Sequence, residues 1–515
     1  MTSTDPPREK TFFGHPRPLA TLFMTEVWER FSFYGMRAIL ALFLSTAIID
    51  GGLGLSTGTA AAVVGVYNAM VYLAALPGGW LADRVLGPQR AVLVGAVIIM
   101  LGHISMAIPG WAGWVYLGLA LIVAGTGLLK PNISTMVGHL YDNRDESHRD
   151  AGFSIFYMGI NLGSLAPFVV GWLGQNVNYH LGFACAAVGM FLGIVQYVAG
   201  AKGLRGIGAR PTHPLTPRER ARAVRAVALG VGGLLLVGVV AGLVGVLTLD
   251  AVTVFLTVVA VAVPVGYFCY ILLGDHGLTA DERSRMKVYL ALFAAAAVFW
   301  MIFDQAATTL TTFAATSTDL NVFGWAMPSS WTQNINPICI IVFAPLFAAL
   351  WVRLGDRVST PLKFAVALAL AGLSFVAMAG AASIAATGVK VSVLWLVLVY
   401  LTQTFGELCL SPVGLSVTTR LAPAMFGSQM MGVWFLAVSV GDSVGGQVAR
   451  LSEGGTSPAY FLWSGLFAIA VGGVLLCFVP RLRRVMNEHP GAGLHPEAAA
   501  DSDGRNPGDP GKLSE

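Results

Sequence analysis

Long apolar runs alternate with short polar or basic segments along most of the chain. A membrane-spanning helix needs about 20 mostly apolar residues, and fourteen runs reach roughly that length. The pattern therefore predicts an all-α integral membrane protein with about fourteen transmembrane helices. The predicted spans lie at 18–48, 57–82, 90–109, 113–140, 151–175, 180–201, 226–248, 251–273, 288–316, 331–353, 362–386, 391–419, 427–449 and 457–480.

The composition agrees with this prediction. The 515 residues are 56% hydrophobic and only 11% charged, whereas a soluble domain usually carries about 25% charged residues. The five cysteines all lie in apolar spans without a metal-binding spacing, so we expect no disulfide, no metal site and no cofactor. The polar and basic stretch before Leu19 lacks the features of a signal peptide.

The distribution of basic residues predicts the orientation. If the spans alternate in direction, all but five of the 31 Lys and Arg residues fall within segments on one side. Cytoplasmic loops are enriched in Lys and Arg, so we expect a multi-pass protein of the plasma (inner) membrane with both termini in the cytoplasm. The net charge of +4 then reflects topology and does not indicate a nucleic-acid partner. Membrane lipid is the expected surrounding of the spans. The five exceptions are Arg30, Arg37 and Lys130 within spans, and Lys390 and Arg450 on the other side.

Two basic loops divide the chain into halves with a hairpin between them. The spans 226–248 and 251–273 consist mostly of Val, Leu, Ala and Gly, so we interpret them as an inserted pair of helices. The remaining twelve spans divide six and six. The predicted segments are 1–17 (cytoplasmic), 18–201 (N-terminal six-helix bundle), 202–225 (cytoplasmic linker), 226–273 (inserted helical hairpin), 274–287 (cytoplasmic linker), 288–480 (C-terminal six-helix bundle) and 481–515 (a cytoplasmic tail expected to be disordered).

The two halves also share a loop motif. Gly79-Trp-Leu-Ala-Asp83-Arg84-Val-Leu-Gly87-Pro-Gln-Arg90 follows the second span, and the shorter Gly355-Asp356-Arg357 follows the second span of the other half. The first of these is similar to the loop signature of the major facilitator superfamily. This resemblance implies a major facilitator fold of two related bundles.

The first span carries four ionisable residues, Glu26, Glu29, Arg30 and Arg37. A charge at the centre of a bilayer costs about 2.5–3.5 kcal/mol on insertion scales, so such groups are functional candidates. At 100° per residue, Glu26, Arg30 and Arg37 fall within about 40° of one another. These charges are therefore expected to form one stripe that faces a shared cavity.

Three further charged residues, Lys130, Asp304 and Glu407, lie deep in other spans. Such groups persist in a membrane when they are paired or line water. Static salt bridges are one interpretation, but desolvation offsets most of the gain from a buried pair, so groups that exchange partners explain the pattern better. Pro131 and Pro412, close to Lys130 and Glu407, predict local helix breaks. The accompanying aromatic and amide residues are Tyr34, Tyr67, Asn161, Trp300, Asn336 and Trp434.

Two weaker signals receive a structural interpretation. Asp442 lies towards the end of its span and is expected to face water. His103 is expected to pack between helices rather than to relay protons.

Four motifs resemble those of one family, the proton-dependent oligopeptide transporters of the major facilitator superfamily. The similarity extends over nearly all of residues 12–480. The motifs are Glu26-x-x-Glu29-Arg30-Phe31, Gly125-Thr-Gly-Leu-Leu-Lys130-Pro131-Asn132, Phe156-Tyr157-x-x-Ile160-Asn161-x-Gly163 and Gly406-Glu407-Leu-Cys-Leu-Ser411-Pro412.

The resemblance implies a role for each matching residue. Arg37 and Lys130 would receive the carboxylate of a peptide, and Glu407 its amino terminus. The other substrate-binding residues implied are Tyr34, Tyr67, Asn161, Trp300, Asn336, Ser411 and Trp434. Those implied in proton coupling are Glu26, Glu29, Arg30 and Asp304. In the family's closed-outside state, the ion pairs would be Arg37 with Asp304 and Lys130 with Glu407.

Two positions depart from the family pattern. Phe33 replaces a tyrosine that the family usually has, which removes one hydroxyl group. Asp304 replaces a glutamate and is one methylene shorter, so either the helices approach more closely or the pair with Arg37 is weaker.

The expected function is the proton-coupled import of di- and tripeptides by a monomer that works by alternating access. The nearest alternative is a proton-coupled carrier of nitrate, an amino-acid derivative or a peptide-like drug on the same scaffold. An enzyme is not expected, because the sequence has no metal cluster, nucleophile elbow or HExxH motif. An ATP-driven pump would need a GxxxxGK[ST] loop, which is also missing.

Overall fold

The computed structural model describes residues 11–141, 146–204, 206–423, 426–452 and 454–487. The first ten residues of the predicted N-terminal segment lie outside this part. Of the predicted disordered tail 481–515, residues 481–487 are instead helical, and the rest lies outside the described residues. Within the described ranges the chain is helical apart from short connections and three pairs of two-residue strands. The strands are β1 (Thr11–Phe12) with β2 (His15–Pro16), β3 (Thr318–Asp319) with β6 (Val391–Ser392), and β4 (Asn321–Val322) with β5 (Trp325–Ala326).

The first half contains six spans. Its helices are α1 (Pro18–Ser45), α2 (Thr57–Leu73), α3 (Ala75–Leu81), α4 (Pro88–Ala107), α5 (Gly113–His139), α6 (Glu146–Gly163), α7 (Val170–Asn176) and α8 (Tyr179–Gly200). The short helices α3 and α7 continue the spans of α2 and α6.

A hairpin of α9 (Pro217–Leu243) and α10 (Leu249–Leu273) separates this half from the second. The second half also contains six spans. Its helices are α11 (Ala280–Phe303), α12 (Thr309–Ser317), α13 (Ile335–Leu354), α14 (Thr360–Ala385), α15 (Leu394–Leu421), α16 (Gly427–Leu451) and α17 (Pro458–Asn487). Here α12 continues the span of α11.

Eleven of these spans are long and apolar enough to cross a membrane by length and composition. Three more helices, α1, α9 and α16, contain 28, 27 and 25 residues and bring the number of spans to the predicted fourteen. The stripe of charges within α1 lowers its apolar character without shortening the helix. The predicted fold class, two six-helix bundles with an inserted hairpin, is confirmed.

The helices that follow the two basic loops begin earlier than predicted. The α9 helix starts at Pro217, inside the predicted linker 202–225, because Thr216 and Glu219 form a capping box. The α11 helix starts at Ala280 through the same arrangement of Thr279 and Glu282. The charged first turns of both helices therefore extend the membrane helices into the loops.

The prediction of helix breaks at Pro131 and Pro412 is wrong. Pro131 lies inside the continuous α5, and Pro412 inside the continuous α15. Prolines are tolerated in membrane helices when the surrounding structure satisfies the backbone groups that they free. The chain instead breaks at 304–307, a short 3-10 helix between α11 and α12, and around 166–168 between α6 and α7.

The connections at one end of the bundle carry most of the basic residues. We call this the basic end; α1 begins there, and Arg84, Lys202 and Arg353 lie near it. At the opposite or distal end, hydrogen bonds join the two halves. Gln175 Nε2 donates to Ser329 Oγ at 2.9 Å, and the Ser330 amide donates to Gln175 Oε1 at 2.9 Å. These contacts hold the halves together at the distal end.

Glycines allow close contact between helices where they cross. A Cβ atom added to Gly95 in α4 would lie 2.6 Å from the carbonyl oxygen of Gly125 in α5. The α2–α16 crossing between the two halves is equally close, since a Cβ on Gly446 would lie 2.9 Å from the Ala61 carbonyl oxygen. Small residues at such positions are typical of membrane-helix packing.

The α4–α5 contact yields a stability prediction. Gly95→Ala places its Cβ against backbone atoms of α5, which a flexible side chain cannot relieve, so we expect a loss of roughly 1–3 kcal/mol of stability. The measurement is the melting temperature of the purified protein in detergent. The control is Gly473→Ala in α17, where no atom lies within 4 Å of the added Cβ. Equal melting temperatures for the two variants would contradict the close crossing.

Candidate functional site

An ion pair between the two halves defines the site. Arg37 Nη2 of α1 lies 2.5 Å from Asp304 Oδ1, and each side chain is only 11% exposed. The same Arg37 nitrogen donates to the backbone carbonyl of Asp304 at 3.4 Å. Asp304 stands where α11 gives way to a 3-10 turn. The helix break therefore brings both its carboxylate and its carbonyl to the guanidinium.

A cavity of about 250 Å³ lies between the halves beside this ion pair. It reaches towards the basic end, where Leu415 in the last two turns of α15 lines it. Nine of the ten predicted substrate-binding residues line the cavity, together with Asp304: Tyr34, Arg37, Lys130, Asn161, Trp300, Asn336, Glu407, Ser411 and Trp434.

Tyr67 does not line this cavity, although the resemblance implied that it would. Its side chain is 4% exposed and its ring lies 6.2 Å from that of Phe33. The tyrosine of α2 that faces the cavity is Tyr72. Tyr72 lies five positions after Tyr67. At about 100° per residue this places the two side chains on different faces of the helix.

Lys130 of α5 lies over aromatic rings. Its Nζ is 4.3 Å from the centre of the Tyr72 ring and 5.9 Å from that of Phe435 in α16. Among the residues that the structure describes, no ion pair joins Lys130 to Glu407. The second implied gating pair is therefore not formed in this conformation. Cation–π contacts of this kind contribute about 0.5–2 kcal/mol.

Glu407 of α15 is held by an amide from another helix of its own half. Asn336 Nδ2 donates to Glu407 Oε2 at 3.0 Å and also to Thr404 Oγ1 at 3.0 Å. The Ser411 hydroxyl, one turn further along α15, is buried without a partner within the described part of the chain. Glu407 is thus oriented by Asn336 and retains an oxygen for another donor.

The acidic residues of the first motif form a separate, fully buried cluster. Arg30 Nη2 donates to Glu29 Oε1 at 2.6 Å, and Arg30 Nε also contacts Glu29 Oε2. Glu26 Oε1 lies 3.4 Å from Arg30 Nε. None of these three residues lines the cavity. The predicted stripe therefore divides: Arg37 faces the cavity, while Glu26, Glu29 and Arg30 pack behind it.

The prediction for Asp442 is wrong. Its side chain, on α16, is 5% exposed rather than facing water. It lines a second, smaller cavity that Asp304 also lines. The prediction for His103 agrees with its location inside α4, where it is fully buried.

Sequence reasoning missed several residues of the main cavity. They are mostly hydroxyl, aromatic and amide side chains without charge: Tyr72, Tyr157, Ser164, Gln333, Tyr400, Gln403 and Phe435. Tyr157 lies within the quoted motif of α6 and could have been found there. The others have no distinguishing signal, because uncharged aromatic, hydroxyl and amide residues also occur elsewhere in the apolar spans.

The chain is similar to known transporters over most of its length. The model of the POT family matches residues 89–463. A di-/tripeptide transporter of Lactococcus lactis subsp. cremoris is 41% identical over 498 residues, covering 93% of this chain and 98% of the relative.

Solved structures agree with these similarities. The crystal structure of the peptide transporter POT in complex with sulfate is 44% identical with a TM-score of 0.88, covering 93% of this chain and 97% of that one. A POT family transporter in complex with a thioalcohol-conjugated peptide is 37% identical with a TM-score of 0.87, covering 92% and 98%. The family resemblance drawn from the four motifs is confirmed: the chain belongs to the POT family of membrane transporters.

Proposed function

We propose that this protein is a proton-coupled symporter that imports di- and tripeptides by alternating access. The observation that carries the proposal is the Arg37–Asp304 ion pair, which joins the two halves at a cavity with Lys130 and Glu407 in its lining. Protonation of the Asp304 carboxylate would remove its attraction to Arg37. A peptide could then take over the released cation.

The arrangement suits a substrate with one positive and one negative end. Lys130, in the first half, lies over uncharged rings in the lining of the cavity, where it would receive a carboxylate. Glu407, in the second half, is oriented by Asn336 and would receive an ammonium group, with Asn161 nearby in the cavity lining. Tyr34, Trp300, Ser411 and Trp434 would contact the parts of the peptide between its ends. Such a substrate would bridge the two halves and favour their closure, which is the differential interaction that transport requires.

Proton coupling would operate at Asp304. A proton on this carboxylate would free Arg37 for the substrate and loosen the contact between the halves. The buried cluster of Glu26, Glu29 and Arg30 lies on the same helix as Arg37, and we assign these residues a second role in proton coupling. One proton moving through 100 mV supplies about 2.3 kcal/mol, and one pH unit adds about 1.4 kcal/mol. Together these support an accumulation of several hundredfold.

The closed distal end and the cavity that extends towards the basic end fit one stage of this cycle. The basic end would lie in the cytoplasm of a cell with the protein in its plasma (inner) membrane, with both termini on that side. The distal end would then be the outer gate, closed in this conformation. We propose a monomer as the working unit, because one chain supplies both bundles and the cavity between them.

The coupling role of Asp304 predicts a separation of two activities. Asp304→Asn keeps a side-chain oxygen for Arg37 but has no titratable group. We expect the variant to accumulate no peptide when the exterior is acidic. Exchange of labelled for unlabelled peptide across the membrane should continue. Both are measured in proteoliposomes. Asp319→Asn, at an exposed acid in the distal connection, is the matched control and should accumulate peptide normally. Persistent pH-driven accumulation by Asp304→Asn would reject the role.

The carboxylate-binding role of Lys130 predicts a loss of substrate affinity. Lys130→Gln removes the cation that would meet the peptide carboxylate, and a charged hydrogen bond contributes about 1.5–3 kcal/mol. We therefore expect affinity for dialanine to fall at least tenfold. The control is Lys363→Gln, since Lys363 also lies over an aromatic ring, that of Trp351 at 4.4 Å, but outside the cavity. Binding of dialanine, measured by calorimetry, should be normal in the control. Normal binding in Lys130→Gln would refute the assignment.

Competition separates the alternative function. If nitrate but not dialanine inhibits transport of the labelled substrate, a carrier of a different solute is favoured.

A further inference from the structure

A second buried carboxylate stands next to the coupling ion pair. Asp442 is 5% exposed, and neither of its side-chain oxygens has a hydrogen-bond donor among the described residues. Asp304 and Asp442 line the same small cavity, about 10 Å³ in volume. This volume is at the lower limit for one water molecule. Two carboxyl groups, those of Asp304 and Asp442, thus line one small polar space.

The groups around Asp442 leave it without a cation of its own. Arg37 of α1 and Lys130 of α5 are within electrostatic range, but Arg37 forms its close ion pair with Asp304. From α2, Tyr72 is within electrostatic range. Asn68 lines the small cavity, and its side-chain oxygen also has no donor in the described part of the chain.

Two acidic residues on other neighbours of α16 have partners of their own. Asp250 of α10 lies 3.3 Å from Arg450 at the distal end. Glu407 of α15 accepts from Asn336. The local balance near Asp442 is therefore one close guanidinium for two carboxyl groups.

Two neighbouring carboxylates in a site of low dielectric constant do not both stay ionised when only one cation is close. One proton shared by the pair removes the repulsion, because the carboxyl group that carries it is neutral and can donate its O–H to the other carboxylate. The pair then titrates as a unit rather than as two independent acids. The ion pair of Arg37 with Asp304 places the proton on Asp442.

We propose that Asp442 is the proton-loading residue of the coupling site and forms a proton-sharing carboxyl pair with Asp304. In the step that opens the gate, the O–H bond of Asp442 breaks and an O–H bond forms on Asp304. Asp442 becomes a carboxylate, Asp304 becomes neutral, and Arg37 loses its close partner. No charge enters or leaves the site during this transfer. The inference rests on the proposed proton-coupled function.

Infrared spectroscopy of the protein in lipid bilayers tests for the resident proton. At neutral pH the wild type should show the carbonyl stretching band of a buried, protonated carboxyl group, and Asp442→Asn should lose it. The exposed-acid control Asp319→Asn should retain the band. An unchanged band in Asp442→Asn would overturn the proposal, whether or not the protein transports peptides.

Transport provides the second readout. Without Asp442, a proton must bind directly to Asp304 while Arg37 holds it, which requires a higher proton concentration. We expect the pH at half-maximal uptake to fall by about one unit in Asp442→Asn, and Asp442→Glu to restore the wild-type profile. A pH profile identical to wild type in Asp442→Asn would reject the loading role.

The controls separate folding and functional failures. Melting temperature reports whether Asp442→Asn folds, and Asp442→Ser, which also lacks a carboxyl group, replaces it if it does not. If Asp304→Asn still accumulates peptide, the proposed function itself fails. If Asp304→Asn loses accumulation while Asp442→Asn behaves as wild type, only the carboxyl pair is wrong.

Discussion

A charge buried in a membrane protein needs a counter-charge, and this requirement organises the centre of the molecule. Removing one partner of a buried pair typically costs about 3–5 kcal/mol, because the other is left unpaired. Arg37 and Asp304 satisfy each other across the boundary between the two halves. The requirement therefore becomes a contact between two bodies, and anything that neutralises either group changes how firmly they are joined.

The backbone is arranged to make that contact available. The α11 span does not run straight through the bundle; it stops at Phe303 and resumes at Thr309. The interruption presents the Asp304 side chain and carbonyl to α1. Glycines in α2 and α16 meanwhile bring the halves close enough at Gly65 and Gly446 for backbone contact. The ion pair is thus supported by a close helix crossing rather than standing alone in the interface.

Much of this could be predicted from the sequence, and the exceptions share a physical cause. Charged residues such as Arg37 and Lys130 are conspicuous because a bilayer tolerates so few of them. The continuity of the helices was harder to predict. Pro131 suggested a break, but α5 is continuous there, whereas the actual break at Asp304 contains no proline or glycine. Tyr67 and Tyr72 could not be separated, because their roles depend on the rotation of α2 within the bundle.

The position of Asp442 towards the end of its span suggested water, but burial depends on the packing of α2 and α11 against α16, which sequence position does not reveal. Its burial changes the charge balance of the whole site. If Asp442 carries a proton and Arg37 is occupied by Asp304, the unmatched charges in the cavity are Lys130 and Glu407. These two come from different halves and are not paired with each other in this conformation. A substrate with one carboxylate and one ammonium group neutralises both at once, whereas a simple anion or cation leaves one of them exposed. Under the proposed carboxyl pair, the packing that buries Asp442 would therefore also favour a substrate with two opposite ends.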